Sequence, residues 1–422
     1  MIRQVLDGAL KESNLSVNDL DGFLALPSLA EHHIMEAHFQ ATSLGLFTRK
    51  ASSDAKRLGQ PSLLCRTIDT GGGGPVSALL QAQSMIQHEG LNCVAVVAAD
   101  SVGSMDSRTF LQRVDNIFGD ESGIPSPIIP NGYDRYTQYQ MQRYGLTRDQ
   151  LRMVVCLQSF HASRHKESLL YQTALELQPS QQTEHMKRDT PKPFTALDSI
   201  QQAPSVAPNI SLLECAYRAD GAGCIILTSE SFLNERLRTS LEMEQVKKKA
   251  VTILGSGESS GPLVPPAKEQ IGGFPFGSDA AMTQAYRQAG SLKATNIDFF
   301  ALYDCFPICL IRALEATGIC SQGDGGNYIE AQYSKLMNAV DSGTEEELIQ
   351  DPTFFPVNTH GGLLCYGAPW EVPAMYNIIE ACQQLNENAV GRQIDDCKRA
   401  LVYGNGGIFS SSAVAILGKA TS

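Results

Sequence analysis

The chain has 422 residues, and its 43% apolar and 18% charged residues predict a globular protein with a large core. Its net charge of −12 argues against nucleic acid as the main partner, because binding phosphates needs a basic surface. The chain contains eleven scattered cysteines without a CxxC pair, which favours a reducing compartment and so predicts a protein of the cytoplasm or an organelle matrix.

The first half of the chain reads as an α/β unit. No apolar run approaches the length that spans a bilayer, and the first residues form an amphipathic helix rather than a signal peptide. The apolar patterns predict helices at Met1–Leu15, Val76–His88 and Glu230–Val246, and strands at Leu20–Leu26, Gln60–Ile68, Cys93–Ala99 and within Asp220–Ser229. Residues 103–210 are polar, contain one clear helix (Thr147–Arg164), and are interpreted as an insertion.

The second half repeats this alternation. Its patterns predict strands at Ala250–Gly255, Ile297–Tyr303, Ala400–Tyr403 and Ser412–Leu417, and helices at Asp279–Ala289, Phe306–Thr317 and Val372–Leu385. The first two helices precede and follow the strand Ile297–Tyr303. A parallel sheet with helices on its faces is therefore expected here too.

An internal repeat relates the two halves. The segments LDGFLAL (Leu20–Leu26) and IDFFALY (Ile297–Tyr303) occur at an offset of 277 residues, each after a helix of similar length. This predicts two related α/β domains, 1–246 and 247–422. The strand Ala250–Gly255 has no counterpart in the first half, which predicts either a deleted first strand or a misplaced start, and an unpaired sheet edge.

Four glycines (Gly71–Gly74) stand between the strand Gln60–Ile68 and the helix Val76–His88. A phosphate loop needs Lys and Ser or Thr after the last glycine, but Pro75 and Val76 follow here. A dinucleotide fingerprint needs the spacing G-x-G-x-x-G, which the run lacks. A tight strand–helix junction without a ligand is the structural alternative.

The order of several motifs resembles the thiolase superfamily, and in particular the sterol-carrier-protein-type thiolases and their thiolase-like relatives. The motifs are DGAGCIIL (Asp220–Leu227), YDCFP (Tyr303–Pro307) and N-x-x-GG-x4-G-x-P (Asn358–Pro369). The resemblance covers nearly the whole chain. It implies a five-layer α-β-α-β-α fold, usually a dimer, and acyl-coenzyme A substrates in lipid metabolism, with coenzyme A as part of the substrate and no further cofactor.

The resemblance also implies a nucleophilic cysteine at the glycine-rich turn, activated by the helix N-terminus. That position is Gly72 in this chain, and two other positions of the family pattern are Ala368, in place of histidine, and Val402, in place of cysteine. The proton-transfer cysteine is kept as Cys305. Tyr303 occupies a position that some thiolase-like relatives use for carbon–carbon cleavage.

These positions give the candidate site. The predicted catalytic residues are Cys305, Tyr303 and His360, and the predicted substrate-binding residues are Gly72, Asn358, Gly361, Gly362 and Gly404. Each has a structural alternative: a core thiol, a packed tyrosine, or a loop histidine bonded to backbone. Asp304 is expected to cap the helix Phe306–Thr317. No metal site is expected, because His32, His33 and His38 lack the spacing of ligands on one helical face.

Three functions remain open at this point. The first is acyl transfer of the thiolase type, against which the missing thiol at Gly72 argues. The second is a lyase that cleaves a β-hydroxyacyl thioester by retro-aldol chemistry. The third is a non-catalytic acyl-coenzyme A binder or assembly subunit. The expected partners are acyl-coenzyme A or coenzyme A, and either a second copy of the chain or a thiolase-like partner protein.

Overall fold

A computed structural model describes residues 1–48, 63–119, 122–176, 195–236, 246, 249–273, 276–351 and 353–420. The described part contains two mixed four-stranded sheets, one from each half of the chain, and a small two-stranded ribbon. No helix in these ranges is long and apolar enough to cross a membrane.

The first sheet has the order β2-β1-β3-β6. Its strands are β1 (Gly22–Ala25), β2 (Leu64–Thr67), β3 (Cys93–Ser101) and β6 (Asp220–Thr228). Strand β1 pairs in parallel with both β2 and β3, and β6 is antiparallel to β3. The side chains of β1 and the inner part of β3 are fully buried, as expected for apolar strands covered on both faces.

The second sheet has the order β7-β10-β9-β8. Its strands are β7 (Val251–Ser260), β8 (Phe299–Leu302), β9 (Arg399–Gly406) and β10 (Ser411–Lys419). Strands β8 and β9 are parallel, and β10 is antiparallel to both of its neighbours, β9 and β7. The β10 side chains from Ser412 to Leu417 are buried.

Fifteen helices occur in the described ranges. They are α1 (Ile2–Glu12), α2 (Glu36–Ser43), α3 (Gly74–His88), α4 (Ser107–Phe118), α5 (Ile128–Tyr144), α6 (Arg148–Ala162), α7 (Leu169–Glu176), α8 (Leu197–Gln202), α9 (Glu230–Arg236), α10 (Gly277–Gln288), α11 (Pro307–Thr317), α12 (Gly325–Ser342), α13 (Glu345–Ile349), α14 (Gly362–Cys365) and α15 (Pro373–Leu385). The ribbon pairs β4 (Ser205–Ala207) with β5 (Ile210–Ser211).

The layers follow from which faces the helices bury. Helix α1 packs Leu6 and Leu10 on the outer face of the first sheet. Helix α3 lies between the sheets, because Ala78 and Ala82 join the core of the first sheet, whereas Val76 joins that of the second. Helix α15 likewise contacts both sheets, and α10 covers the second sheet from outside. The predicted five-layer thiolase-like α/β fold is thereby confirmed.

The internal repeat extends to side-chain detail. Strands β1 and β8 lie at the predicted offset, and a short 3-10 turn precedes each of them. Asp21 accepts hydrogen bonds from the backbone N–H groups of Asn92 and Cys93. Asp298 accepts the corresponding pair from Lys398 and Arg399. The boundary between residues 246 and 247 stays a prediction.

Several element predictions need adjustment. The described residues between 103 and 211 form α4 to α8 and the ribbon, so this segment contains more helices than the single one predicted. Strand β2 is shorter than predicted, and residues 60–62 of that prediction lie outside the described ranges, as does most of the predicted helix beyond Arg236. Asp304 does not cap α11, whose N-cap is Phe306; instead it accepts a hydrogen bond from the Leu363 N–H group.

The two sheets differ at one edge in the described part of the chain, and the predicted loss of a first strand stays a prediction. In the second sheet β7 pairs with β10, whereas within the described ranges no strand pairs with the corresponding edge of β6. Helix α1 nevertheless packs against β6 and β3. The repeat therefore keeps the helix and three strands of each half.

Candidate functional site

The glycine run forms a single turn at the start of α3. Residues Gly71–Gly73 make one 3-10 turn that leads into the helix, with Pro75 in its first turn. The turn packs directly on the end of β9, so closely that a Cβ atom on Gly406 would overlap the Thr70 carbonyl oxygen. The contact requires glycine in both segments, which explains why GGGG and GNGG occur in one chain.

Tyr303 occupies the space where a side chain at position 72 would begin. A Cβ atom on Gly72 would overlap the Tyr303 hydroxyl group and would also lie 2.6 Å from the Asn405 carbonyl oxygen. A cysteine at position 72 is therefore incompatible with the observed place of the Tyr303 ring. The space beside the turn is therefore filled by a phenol that comes from the other half of the chain.

Two tyrosines and two cysteines form a phenol–thiol cluster beside the turn: Tyr133, Tyr303, Cys305 and Cys309. The Sγ atoms of Cys305 and Cys309 are 3.5 Å apart. Tyr133 donates a hydrogen bond to the Gly407 carbonyl oxygen at 2.7 Å and accepts one from Asn405 Nδ2 at 2.8 Å. The cluster is thus fixed to the end of β9 through Tyr133.

Burial controls the protonation of this cluster. Desolvation raises the pKa of Tyr303, Tyr133 and Cys309 well above their ordinary values. A negative charge on Cys305 raises the pKa of all three further. The cluster therefore favours at most one negative charge at a time, and Tyr303, Tyr133 and Cys309 keep their protons at neutral pH.

Tyr133, Tyr303 and Cys305 of the cluster and the glycine turn line a cavity of about 1630 Å³. The volume exceeds the range of typical small-molecule sites, which predicts a large ligand. The polar end of the cavity is lined by Asp69, Thr70, Gly72, Tyr133, Cys215, Tyr303, Cys305, Glu371 and Asn405. A largely apolar part is lined by Phe110, Leu111, Val114, Phe118, Ile129, Val206, Leu212 and Leu213, from α4, α5 and the ribbon region.

Glu371 is a cavity residue that the sequence analysis missed. Its side chain lines the cavity but is only 9% exposed, and in the described part of the chain its Oε2 atom has no hydrogen-bond partner. Desolvation, followed by the charges of Asp69 and Asp100, raises its pKa well above the ordinary value. The preceding Trp370 has a left-handed backbone with φ of 49°, a strained conformation for this residue type.

The structure brings together Gly72, Tyr303 and Cys305 among the predicted site residues, all of them in the cavity lining. The other five do not line it. Asn358 is buried and holds the backbone of β8, because its Oδ1 accepts from Leu302 N at 2.6 Å and its Nδ2 donates to Leu302 O at 2.7 Å. The predicted substrate-binding role of Asn358 stays a prediction without support from the cavity lining.

His360 lies behind the cavity in a polar part of the core. Its ring packs against Tyr366 with ring centroids 5.3 Å apart. Burial lowers its pKa to about 3, so the ring is neutral at physiological pH. His360 is not among the residues that line the cavity. Its predicted catalytic role therefore also stays a prediction.

The three remaining glycines allow close packing. A Cβ atom on Gly361 would lie 2.8 Å from the Ala162 Cα atom, and one on Gly362 would overlap the Asp304 carboxyl group. A Cβ atom on Gly404 would lie 2.9 Å from the Gly73 Cα atom, so this glycine brings β9 against the turn. In the described ranges, no group of three potential ligands could hold a metal ion.

Comparisons with known proteins agree with this architecture. The family model "Thiolase C-terminal domain-like" matches residues 275–419. Sterol carrier protein 2 of Bos taurus is 23% identical over 341 residues, which cover 78% of this chain and 54% of that protein. Acetyl-CoA acetyltransferase of Methanothermobacter thermautotrophicus is 24% identical and covers 69% of this chain and 63% of its own length. This chain thus spans about half the length of the sterol carrier protein it matches.

A solved structure described as the Ltp2-ChsH2(DUF35) aldolase superimposes with a TM-score of 0.69 at 20% identity, covering 98% of this chain and 91% of that chain. This likeness shows the shared fold. The family model and the relatives confirm the predicted resemblance to the thiolase superfamily and to the sterol-carrier-protein-type thiolases.

Proposed function

We propose that the chain acts on acyl-coenzyme A thioesters as a carbon–carbon lyase, which cleaves a β-hydroxyacyl thioester by a retro-aldol reaction. The observation that carries this proposal is the Tyr303 hydroxyl group, which fills the space of a side chain at Gly72. Covalent acyl transfer needs a nucleophile at the turn, whereas retro-aldol cleavage needs only a proton acceptor for the hydroxyl group and stabilisation of an enolate.

The proposed reaction is balanced within the site. The Cys305 thiolate is the proposed base: the β-hydroxyl group donates its proton to the Tyr303 oxygen while Tyr303 passes its own proton to Cys305, which becomes a thiol. The bond between the α- and β-carbons then breaks, the β-carbon becomes a carbonyl group, and the bonding electron pair forms the thioester enolate. The same proton returns to the α-carbon, so that no oxidant, reductant or net proton is required.

The cavity supports a substrate of this class. Its volume of about 1630 Å³ leaves room for a large acyl group against the apolar part, while the reacting carbons lie at the polar end. The shared fold with a structure described as an aldolase is consistent with such chemistry. The apolar lining from α4 and α5 favours a bulky acyl group over acetyl alone.

Acyl transfer is the second candidate, and one observation favours it. Two thiols, Cys215 and Cys305, line the cavity, and either is a possible nucleophile if the reaction does not use position 72. The acetyl-CoA acetyltransferase relative bears the name of this activity. Formation of an acyl–cysteine adduct separates this candidate from the lyase, which forms none.

We further propose that the chain works in an assembly. The aldolase structure is described by two components, Ltp2 and ChsH2(DUF35), and a thiolase subunit of Thauera aromatica is also similar to this chain. A second copy or a heterologous partner is therefore expected. All eleven cysteines are free, which supports the proposed reducing compartment of cytoplasm or organelle matrix.

The test is incubation of the full chain with β-hydroxyacyl-coenzyme A thioesters that carry small and bulky acyl groups, followed by mass spectrometry of products and protein. We expect a shortened acyl-coenzyme A, a carbonyl product and no protein adduct. Tyr303→Phe should lower kcat at least about 100-fold, as expected for loss of a proton-transfer group. Tyr171→Phe, outside the cavity lining, is the control.

An acyl adduct on Cys215 or Cys305 during turnover would contradict the lyase proposal and support acyl transfer. Equal rates of the wild type and Tyr303→Phe would contradict the role of the phenol. If the wild type binds the thioesters but does not cleave any of them, the binder hypothesis is favoured.

A further inference from the structure

We propose that Glu371 donates a hydrogen bond from its carboxyl group to the carbonyl oxygen of a bound thioester, and that it stabilises the enolate oxygen formed there. The inference rests on the proposed function for the enolate, but its ligand contact is independent of turnover. It assigns a second acid to the cavity, opposite Tyr303.

The geometry of the glycine turn carries this inference. The Glu371 Oε2 atom lies 3.7 Å from the position of a Cβ atom on Gly74, at the first residue of α3. Tyr303 approaches the same turn two residues earlier, at Gly72. Both side chains line the cavity, so a ligand that reaches the turn can contact a phenol and a carboxyl group.

No other residue uses this carboxyl oxygen. Oε2 is buried and unpaired in the described ranges, although a buried polar atom ordinarily has a partner. The neighbouring carboxylate of Asp100 is already occupied, since it accepts hydrogen bonds from the backbone of Leu29 and Ala30. A bound ligand is the partner that the position of Oε2 allows.

Burial, followed by the surrounding charges, favours the neutral form of this carboxyl group. Asp69 and Asp100 raise the pKa of Glu371 in addition to its burial, and a hydrogen bond from the Trp370 side chain acts in the opposite direction. Tyr303, on the other side, is itself a phenol with a raised pKa. A neutral acid can donate a hydrogen bond, whereas a carboxylate would repel an enolate.

The consequence for the reaction is electrostatic. Cleavage of the carbon–carbon bond places negative charge on the thioester oxygen, and a donor already aimed at that oxygen stabilises the charge without reorganisation. A carboxyl group supplies this donor without adding a net charge to a cavity that already contains Asp69. Glu371 would thus act on the thioester end, and Tyr303 on the β-hydroxyl end.

Trp370 makes the inference directly measurable. It is the single tryptophan of the chain and the residue next to Glu371, so its fluorescence reports on this carboxyl group. We expect a pH titration of Trp370 fluorescence to show a transition well above the ordinary value of 4.5. The transition should be absent in Glu371→Gln. Acetoacetyl-coenzyme A should shift it to higher pH, because a ligand that accepts the proton's hydrogen bond favours the protonated form.

Binding of acetoacetyl-coenzyme A provides the second measurement. Glu371→Leu should weaken binding roughly tenfold, because the donor is lost. Glu371→Gln keeps an N–H donor and should stay within about threefold of the wild type. The matched control is Glu12→Gln on α1, an exposed residue outside the cavity lining, which should leave affinity unchanged.

Two results would overturn the inference: equal affinities of the Gln, Leu and wild-type proteins, or the same fluorescence transition in Glu371→Gln as in the wild type. If Glu371→Leu does not fold, the pH titration of Glu371→Gln decides. A protein that binds acetoacetyl-coenzyme A in this Glu371-dependent way but cleaves no β-hydroxyacyl thioester would contradict the lyase and leave the inference intact.

Discussion

Gly72 and Tyr303 share one space in the candidate site, and only Tyr303 places a side chain in it. The glycine is not required by its own backbone, because its φ is not positive; it is required by the phenol that occupies its side-chain space. The carbonyl oxygen of Asn405 restricts the same space from the other side. The two positions, 72 and 303, therefore have to be considered as a pair.

This pair gives a prediction about stability. Gly72→Ala should destabilise the protein by about 1–3 kcal/mol, the usual cost of overpacking a rigid core. In a Tyr303→Ala background the same change should cost less, because the ring that it overlaps is gone. Denaturant unfolding of the two single variants and the double variant measures this coupling.

Gly8→Ala is the matched control, since Gly8 lies in α1 and a Cβ atom there meets no other atom within 4 Å. It should be neutral or slightly stabilising, because alanine favours the helix. Equal costs of Gly72→Ala with and without the Tyr303 ring would show that the phenol does not fill this space.

The two halves of the chain share matching side-chain hydrogen bonds as well as matching helices and strands. Asp21 lies just before β1 and Asp298 just before β8, and each accepts two backbone N–H groups at the start of the neighbouring parallel strand. These bonds fix the register in which the strand pair begins. The repeat therefore includes these hydrogen bonds as well as the sequence offset of 277 residues.

We expect Asp21→Ala and Asp298→Ala each to lower the free energy of unfolding by roughly 2 kcal/mol, because hydrogen bonds to a charged acceptor are lost. The effects should add in the double variant, since the sites lie in different sheets. Urea unfolding checks both statements, with the exposed Asp7→Ala on α1 as the control. If only one of the two variants loses unfolding free energy, the two repeated hydrogen-bond pairs do not contribute equally to stability.

Sequence patterns predicted the helices and strands better than they predicted the residues of the candidate site. The offset between β1 and β8, the strand β6 and the glycine turn were predictable, since each is a local pattern of apolar residues and glycine. Tyr303 and Cys305 were predicted from the resemblance of the motif YDCFP (Tyr303–Pro307) to the thiolase superfamily. Glu371 was not, since its burial and its approach to Gly74 are long-range contacts that leave no periodic signal.

The loop that follows Val357 shows the opposite error. Asn358 and His360 belong to a glycine-rich motif, and the sequence analysis therefore predicted that they lie in the site. The side chain of Asn358 instead forms hydrogen bonds with the backbone of Leu302. The loop consequently places His360 in the core behind β8. Only the three-dimensional path of the chain separates these residues from the cavity lining.

The whole molecule is held together through its central helices. Helices α3 and α15 contact both sheets, and the site forms where the N-terminus of α3 meets the ends of β8 and β9. Each half supplies part of it: the glycine turn comes from the first half, and Tyr303, Cys305 and Glu371 come from the second. Neither half alone contains a complete cavity lining.

Stability of the whole molecule should depend on pH through buried histidines. Burial lowers the pKa of His161 and of His165 to about 4, and that of His360 to about 3, against an ordinary value of 6.5. Between these values the unfolded chain binds protons that the folded chain excludes. The contribution of each histidine to stability is therefore complete above about pH 6.5 and is lost as the pH falls towards 4.

Two buried acids oppose this trend. Burial raises the pKa of Asp304 to about 7 and that of Glu371 above its ordinary value, so the folded state takes up their protons first and gains stability as the pH falls. The pH dependence of the wild type is thus a sum of opposite effects. The contribution of a single histidine is best measured as the difference in unfolding free energy between the wild type and a variant that lacks that histidine.

We expect His161→Phe to remove one such effect. Its ring stacks on Phe355, with centroids 5.7 Å apart, and phenylalanine can keep that contact. Relative to the wild type, the variant should gain roughly 2 kcal/mol of unfolding free energy on going from about pH 8 to about pH 5. Urea unfolding at several pH values measures this difference, and the exposed His88→Gln should show none. Parallel pH profiles of wild type and His161→Phe would mean that His161 is already charged in the folded protein.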